Sequence, residues 1–120
     1  MAIKKFINKY RKQLLIANIN RKDFPDFKKS DKVRKRLHFS GRVQGVGFRV
    51  EALGVANRLG LTGYVKNKAN GDVEIEVQGP IDKIQYLINY LSSIRRAPIK
   101  NLDSVDIEII EKESEFKITY

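Results

Sequence analysis

The chain has 120 residues and a formal net charge of +10, a length that suits one domain. Residues 1–36 hold 13 Lys and Arg against 3 Asp, while residues 37–120 hold 11 of each sign, so a neutral body carries a basic N-terminal arm, which counts against a wholly basic nucleic-acid-binding domain. A hydrophobic content of 42% excludes full disorder, and the absence of Cys excludes disulfides and thiolate chemistry; with a single His, a zinc site is not expected, and no run approaches the ~20 apolar residues of a membrane span.

Residues 1–33 read as an extension. Ile3, Phe6, Ile7, Tyr10, Leu14 and Ala17 recur at spacings of three and four, the pattern of one helical stripe. The first 22 residues contain no acid. After Asn20 the pattern fails, and Asp23 to Asp31, with Pro25, reads as a linker.

The body, residues 34–120, has a different texture. From Arg36, Leu37, Phe39, Gly41 and Val43 alternate with Arg36, His38, Ser40 and Arg42, as in a half-buried strand. A glycine-rich turn, Gly45 to Gly47, interrupts it. The spacing of Ala52, Val55, Ala56 and Leu59 predicts a helix over 48–59, with Gly60 at its C-terminal end. Val65 and Val73, Ile75 and Val77 lie on two strands of a hairpin. A three-residue loop, Ala69 to Gly71, pairs Val65 with Ile75 and gives Gly71 the left-handed position such loops need. Lys66 then faces Glu74 on the open side, where Lys68 and Glu76 also read as solvated charges. Pro80 is expected at the first position of a second helix, with Ile81, Ile84, Leu87, Ile88 and Leu91 as its buried stripe. Arg95 to Leu102 reads as a loop. Val105, Ile107 and Ile109 form one strand, and Phe116, Ile118 and Tyr120 a last one.

The order is βαββαβ plus a short final strand. One apolar face per strand and one stripe per helix are both satisfied by an α+β, ferredoxin-like two-layer sandwich, an antiparallel sheet with two helices on one face. Such a fold does not by itself define a function.

The chemistry is concentrated in Gly41-Arg-Val-Gln-Gly-Val-Gly-Phe-Arg49. Successive N–H groups in a glycine-rich turn before a helix can converge on an anion, assisted by the helix dipole. Arg49 sits in the first helical turn, where the dipole disfavours a cation; clamping phosphate oxygens would account for it, and an ordinary turn with a surface Arg is the alternative. Asn67 shares a face with Val65 and points toward the helices. It is either a buried amide in need of partners or a turn-stabilising Asn. His38 alternates with Leu37 and Phe39 and so faces the open side, away from Arg49.

The Gly41–Arg49 stretch resembles the signature of acylphosphatases, as do Gly60-Leu-Thr-Gly-Tyr-Val-Lys-Asn67, Asn70-Gly-Asp-Val-Glu74, Gly79 and the terminal Phe116-Lys-Ile-Thr-Tyr120. The resemblance covers roughly residues 35–120 and leaves the first 33 without a counterpart. It implies a metal-independent, cofactor-free hydrolase that cleaves the carboxyl-phosphate bond of acyl phosphates. It also implies that Arg49 is the catalytic arginine and Asn67 the water-positioning asparagine. The phosphate cradle is then formed by backbone groups of Gln44, Gly45, Val46, Gly47, Phe48 and Arg49. A cytoplasmic monomer acting on a small-molecule substrate is expected.

A non-catalytic ferredoxin-like module holding nucleic acid or carbamoyl phosphate is the alternative. The basic extension has readings of its own: contact with an anionic membrane or nucleic acid, docking of its stripe on the body or a second copy, a targeting sequence, or a solvated tail.

Overall fold

In the computed structural model, residues 2–120 are described, with side chains from Tyr10 onward. The elements are α1 (Ala2–Arg21), β1 (Lys32–Gly41), α2 (Phe48–Leu59), β2 (Thr62–Asn67), β3 (Val73–Pro80), α3 (Ile81–Ser92), β4 (Ile99–Ile107) and β5 (Phe116–Ile118). The strands form one sheet in the order β4-β1-β3-β2-β5. All pairings are antiparallel except β2 with β5. This is the ferredoxin-like α+β sandwich expected from the alternation of apolar positions.

The core lies between sheet and helices. Leu37, Phe39, Val65, Val73, Ile75 and Val77 face Ala52, Val55, Ala56, Ile84, Leu87 and Leu91 across it. The hairpin has the expected register, with Val65 opposite Ile75 and Lys66 opposite Glu74. Gly71 is left-handed at φ 95°.

Several boundaries differ from expectation. β1 begins at Lys32 rather than Arg36, because Val33 pairs with Gly79 and Arg34 with Gln78. Pro80 precedes the helix as its N-cap, with φ −58° and ψ 133°, because its residue still belongs to the β1–β3 ladder. β4 starts at Ile99, inside the expected loop, since an edge strand needs a partner and not an apolar face. Val105 is accordingly 56% exposed, and Ile109 lies beyond the strand. Tyr120 lies past β5 and is 95% exposed.

α1 docks on α2 through Ile19, which lies off the apolar stripe. Tyr10 and Leu14 are exposed, whereas Ile19 is buried; Ile3, Phe6 and Ile7 lie outside the described side chains. A Cβ on Gly54 would lie 2.6 Å from Ile19 Cδ1, so the missing side chain lets the helices approach. Leu14-Leu15-Ile16-Ala17 is apolar on all sides, and spacing cannot choose the docked face of such a run. Arg58 donates to the Ile19 carbonyl at the end of α1 and stacks over Phe24. Burial of Ile19 contributes about 2 kcal/mol. Residues 22–31 have no regular structure but are packed: Phe24 and Phe27 lie against Tyr86 of α3.

The open face of the sheet is not a row of solvated charges. The segment from β4 to β5 passes over one end of it. Gln78 exchanges hydrogen bonds with the backbone of Ile110. The Arg34 side chain, 1% exposed, pairs with Glu76 at 3.0 Å and Glu113 at 2.7 Å. Arg36 pairs with the other Glu76 oxygen, and Tyr64 shares its hydroxyl between Glu74 and Glu76. Burial pushes the Glu76 carboxyl up, but hydrogen bonds from Tyr64, Arg34 and Arg36 outweigh it and hold Glu76 below its ordinary 4.5. The folded value is the lower one. This stabilisation is therefore full above about pH 4.5 and is lost as pH falls through the folded value. In an acid titration followed by circular dichroism, Glu76→Gln should cost about 1–2 kcal/mol at neutral pH and flatten the stability loss below pH ~4.5.

Candidate active site

The loop after β1 is built by its surroundings. Arg42 donates its backbone N–H to the Pro98 carbonyl at 3.0 Å, and Val43 is buried. Gln44 Nε2 donates to the carbonyls of Lys68 and Asp72 at 2.8 and 2.9 Å, which pins the loop to the β2–β3 hairpin. Gly45 and Gly47 are left-handed, at φ 73° and 80°, a conformation that costs a Cβ-bearing residue about 1 kcal/mol or more. Arg96 Nε donates to the Val46 carbonyl at 2.7 Å. In a trans peptide this turns the Gly47 N–H the opposite way.

Gly47 is the N-cap of α2 and has no side-chain capping bond. Among the described residues, no protein acceptor receives the N–H groups of residues 44–49. Open donors and the positive end of the helix dipole therefore coincide here.

A cavity of about 90 Å³ adjoins these groups, lined by Val43, Gly45, Gly47, Phe48, Arg49, Val50 and Asn67. It has room for about three water molecules. Phe48 is buried against Phe39, ring centroids 5.1 Å apart, which anchors the first helical turn and hence Arg49. The Arg49 side chain lies 5.4 Å from the Tyr120 ring, and no ion pair of the described residues includes it. Asn67 ends β2 opposite Val73. Its Oδ1 is buried and, among the described residues, has no hydrogen-bond partner. The turn is instead stabilised by Asn70, whose Oδ1 accepts from the Asp72 N–H at 3.1 Å.

Of the residues singled out in the sequence, Gly45, Gly47, Phe48, Arg49 and Asn67 line this one cavity. The Gln44 side chain is used as an anchor, and Val46 faces a second, larger cleft. His38 lies on the open face, 2.5 Å from Asp72, and is not among the cavity's lining residues. Arg96 was not evident from sequence. Besides holding Val46 it pairs with Glu51 at 2.7 Å, and nothing in an Arg95-Arg96 loop distinguishes the bracing arginine. Glu51 carries a weak signal, an acid in the first turn of a helix.

Arg49 is the sole ionisable group among the cavity's lining residues. The lining offers a cation, N–H donors and an amide, but no nucleophile and no general base. The arrangement suits a chemistry of positioning and charge stabilisation on an anion. Nucleic-acid readout is poorly served by the other face. Tyr64, the aromatic there, is tied to two carboxylates and is not free to stack on a base. Among the described residues no group of side chains is suited to hold a metal ion, and no helix is long and apolar enough to cross a membrane.

Fold and site together define an α+β sandwich with a glycine-rich loop and a small cavity at the start of its first core helix. The chain belongs to the acylphosphatase family, whose model matches residues 35–118. It is 45% identical over 85 residues to an acylphosphatase from Caldivirga maquilingensis, covering 70% of this chain and 87% of the relative. To one from Picrophilus torridus it is 42% identical over 82 residues, 68% of this chain and 96% of the relative. The crystal structure of acylphosphatase from Bacillus subtilis superimposes with a TM-score of 0.69 at 30% identity, over 73% of this chain and 99% of that one. A probable carbamoyltransferase HypF from Methanocaldococcus jannaschii is 39% identical over 89 residues, but these make up 11% of that protein.

Proposed function

We propose that the protein hydrolyses acyl phosphates to a carboxylate and inorganic phosphate, without a metal ion, with Arg49 and Asn67 as its catalytic residues. The observation that carries this reading is that Asn67, whose buried Oδ1 has no hydrogen-bond partner among the described residues, lines the same 90 Å³ cavity as Arg49 and the two loop glycines. The backbone N–H groups of residues 44–49 and the Arg49 guanidinium hold the phosphoryl oxygens. Asn67 Oδ1 accepts a hydrogen bond from a water and orients it for in-line attack. The water oxygen bonds to phosphorus as the bond from phosphorus to the acyl oxygen breaks. The acyl group leaves as a carboxylate, which needs no proton, and the water's proton passes to a phosphoryl oxygen. A good leaving group makes a strong general acid unnecessary, and electrostatic positioning supplies the acceleration.

The test is phosphate release from benzoyl phosphate in metal-free buffer. Asn67→Ala should lower kcat on the order of 100-fold, the scale of a misplaced reactant, while inhibition by inorganic phosphate stays within about threefold because Arg49 and the N–H groups remain. Wild-type kcat/KM should vary little across neutral pH, since no lining group titrates there. A bell-shaped profile would implicate a titrating side chain outside the cavity and overturn the assignment. Carbamoyl phosphate belongs in the same assay, given the likeness to the HypF segment; turnover of it alone would favour that branch. A cytoplasmic location and action as a monomer go with this reading. A cysteine-free chain needs no oxidising compartment.

A further inference from the structure

The second cleft is larger, about 690 Å³, and lies between α1 and the phosphate loop. It falls within the size range of small-molecule sites. It shares Gly45, Gly47 and Val50 with the small cavity, so the two adjoin along the loop. A Cβ on Gly45 would meet nothing within 4 Å, and one on Gly47 would lie 3.1 Å from Leu15 Cδ1. The loop is thus open on one glycine and touched by α1 at the other.

The lining has two characters. Leu14, Leu15 and Val46 are apolar, and Arg11, Lys12 and Arg96 are cationic. The Arg96 charge is already matched by Glu51. Arg11 and Lys12 belong to a stretch of 22 residues without an acid, and no ion pair of the described residues includes either. The exposure of Leu14, 45%, has an explanation here. This residue of the apolar stripe lines the cleft.

We propose that this cleft is the acyl-group subsite, and that α1 makes the enzyme select acyl phosphates whose chain is extended, apolar and ended by a second anionic group. The assignment rests on the hydrolytic reading above. The phosphoryl group sits in the small cavity, the chain lies along Leu14, Leu15 and Val46, and the distal carboxylate or phosphate meets Arg11 and Lys12. A phosphoryl-only site would need neither the apolar wall nor the two unmatched cations.

A matched pair of substrates tests it on the full chain: hexanoyl phosphate and the monophosphate of adipic acid, equal in length and differing by the terminal carboxylate. Wild type should favour the adipoyl compound in kcat/KM by about five- to tenfold at low salt, the worth of one or two partly exposed ion pairs. The preference should shrink as ionic strength rises. Arg11→Glu with Lys12→Glu, both exposed positions, should invert it. The distant double reversal Lys29→Glu with Lys112→Glu should leave the ratio within twofold. Equal rates on the two substrates, a ratio indifferent to the Arg11/Lys12 reversal, or an equal response to the distant pair would overturn the subsite. Failure of wild type to hydrolyse even acetyl phosphate, which does not reach the cleft, would instead overturn the hydrolytic reading itself.

Discussion

Arg49→Ala should lower kcat/KM on benzoyl phosphate on the order of 10³- to 10⁴-fold, the scale seen when an arginine that stabilises a transferring phosphoryl group is removed. The expectation follows from the lining of the cavity, where Arg49 is the one ionisable group. With no base or nucleophile alongside it, no second side chain can take over the charge. Folding should be nearly unaffected. Arg49 is half-buried, takes part in no ion pair among the described residues and meets the ring of a terminal residue, so its loss costs about 1 kcal/mol or less. Arg49→Lys keeps the charge but not the planar fork of donors, and should recover only part of the rate. Steady-state kinetics and thermal melts of the two variants separate these effects. Retention of activity within tenfold in Arg49→Ala would remove the residue from the chemistry and leave the N–H groups as the sole anion site.

The largest effect on stability is expected from Gly63→Ala. Gly63 has φ 134°, and a Cβ there would lie 1.9 Å from the Glu76 carbonyl oxygen and 2.8 Å from its carbon. These are backbone atoms of β3, which is held between β1 and β2, so they cannot swing aside as a side chain would. Gly63 is also held from the other edge, where its N–H donates to the Glu115 carbonyl at 3.0 Å. Backbone strain and overpacking each cost about 1–3 kcal/mol, which gives a loss of about 4 kcal/mol and a fall in Tm of about 15 °C or more. Gly60→Ala is the control. Gly60 is left-handed too, at φ 70°, but nothing lies within 4 Å of its missing Cβ, so it should lose only about 1 kcal/mol. Equal losses in the two variants would mean that conformation alone, and not the approach of β2 to β3, sets the requirement for glycine. Because β2 carries Asn67 at its end, any Gly63 variant that does fold should also be impaired in turnover.

Local chemistry is legible wherever neighbours in sequence are neighbours in space. The limits of α2, from Phe48 to Leu59, and the β2–β3 register follow from periodicity and from Gly71 in a short loop. The glycine loop and Arg49 are visible for the same reason, since a turn and the helix it starts are continuous chain. Where local preference was weak, expectation failed. β4 is defined by pairing with β1 rather than by its own apolar pattern, so its start was misplaced. Arg34 lies in the basic run of the first 36 residues and reads as one charge among many. It is buried because a segment nearly 80 positions away, carrying Glu113, folds over it.

The sequence by itself carried the order of strands and helices and the glycine-rich turn, because each rests on spacing within a few residues, and the resemblance to acylphosphatases is what pointed to Arg49 and Asn67. Tertiary structure decided the rest. It set Asn67 into the cavity of Arg49 by folding the hairpin back on the loop, and it chose Arg96 from two adjacent arginines. It also placed the basic extension as one wall of a cleft. An apolar run flanked by cations is compatible with many partners, and the contacts of Ile19 with Gly54 and of Leu15 with Gly47 show which surface it meets. Part of the net charge of +10 thereby acquires a location, with Arg11 and Lys12 in the same cleft as the glycine loop.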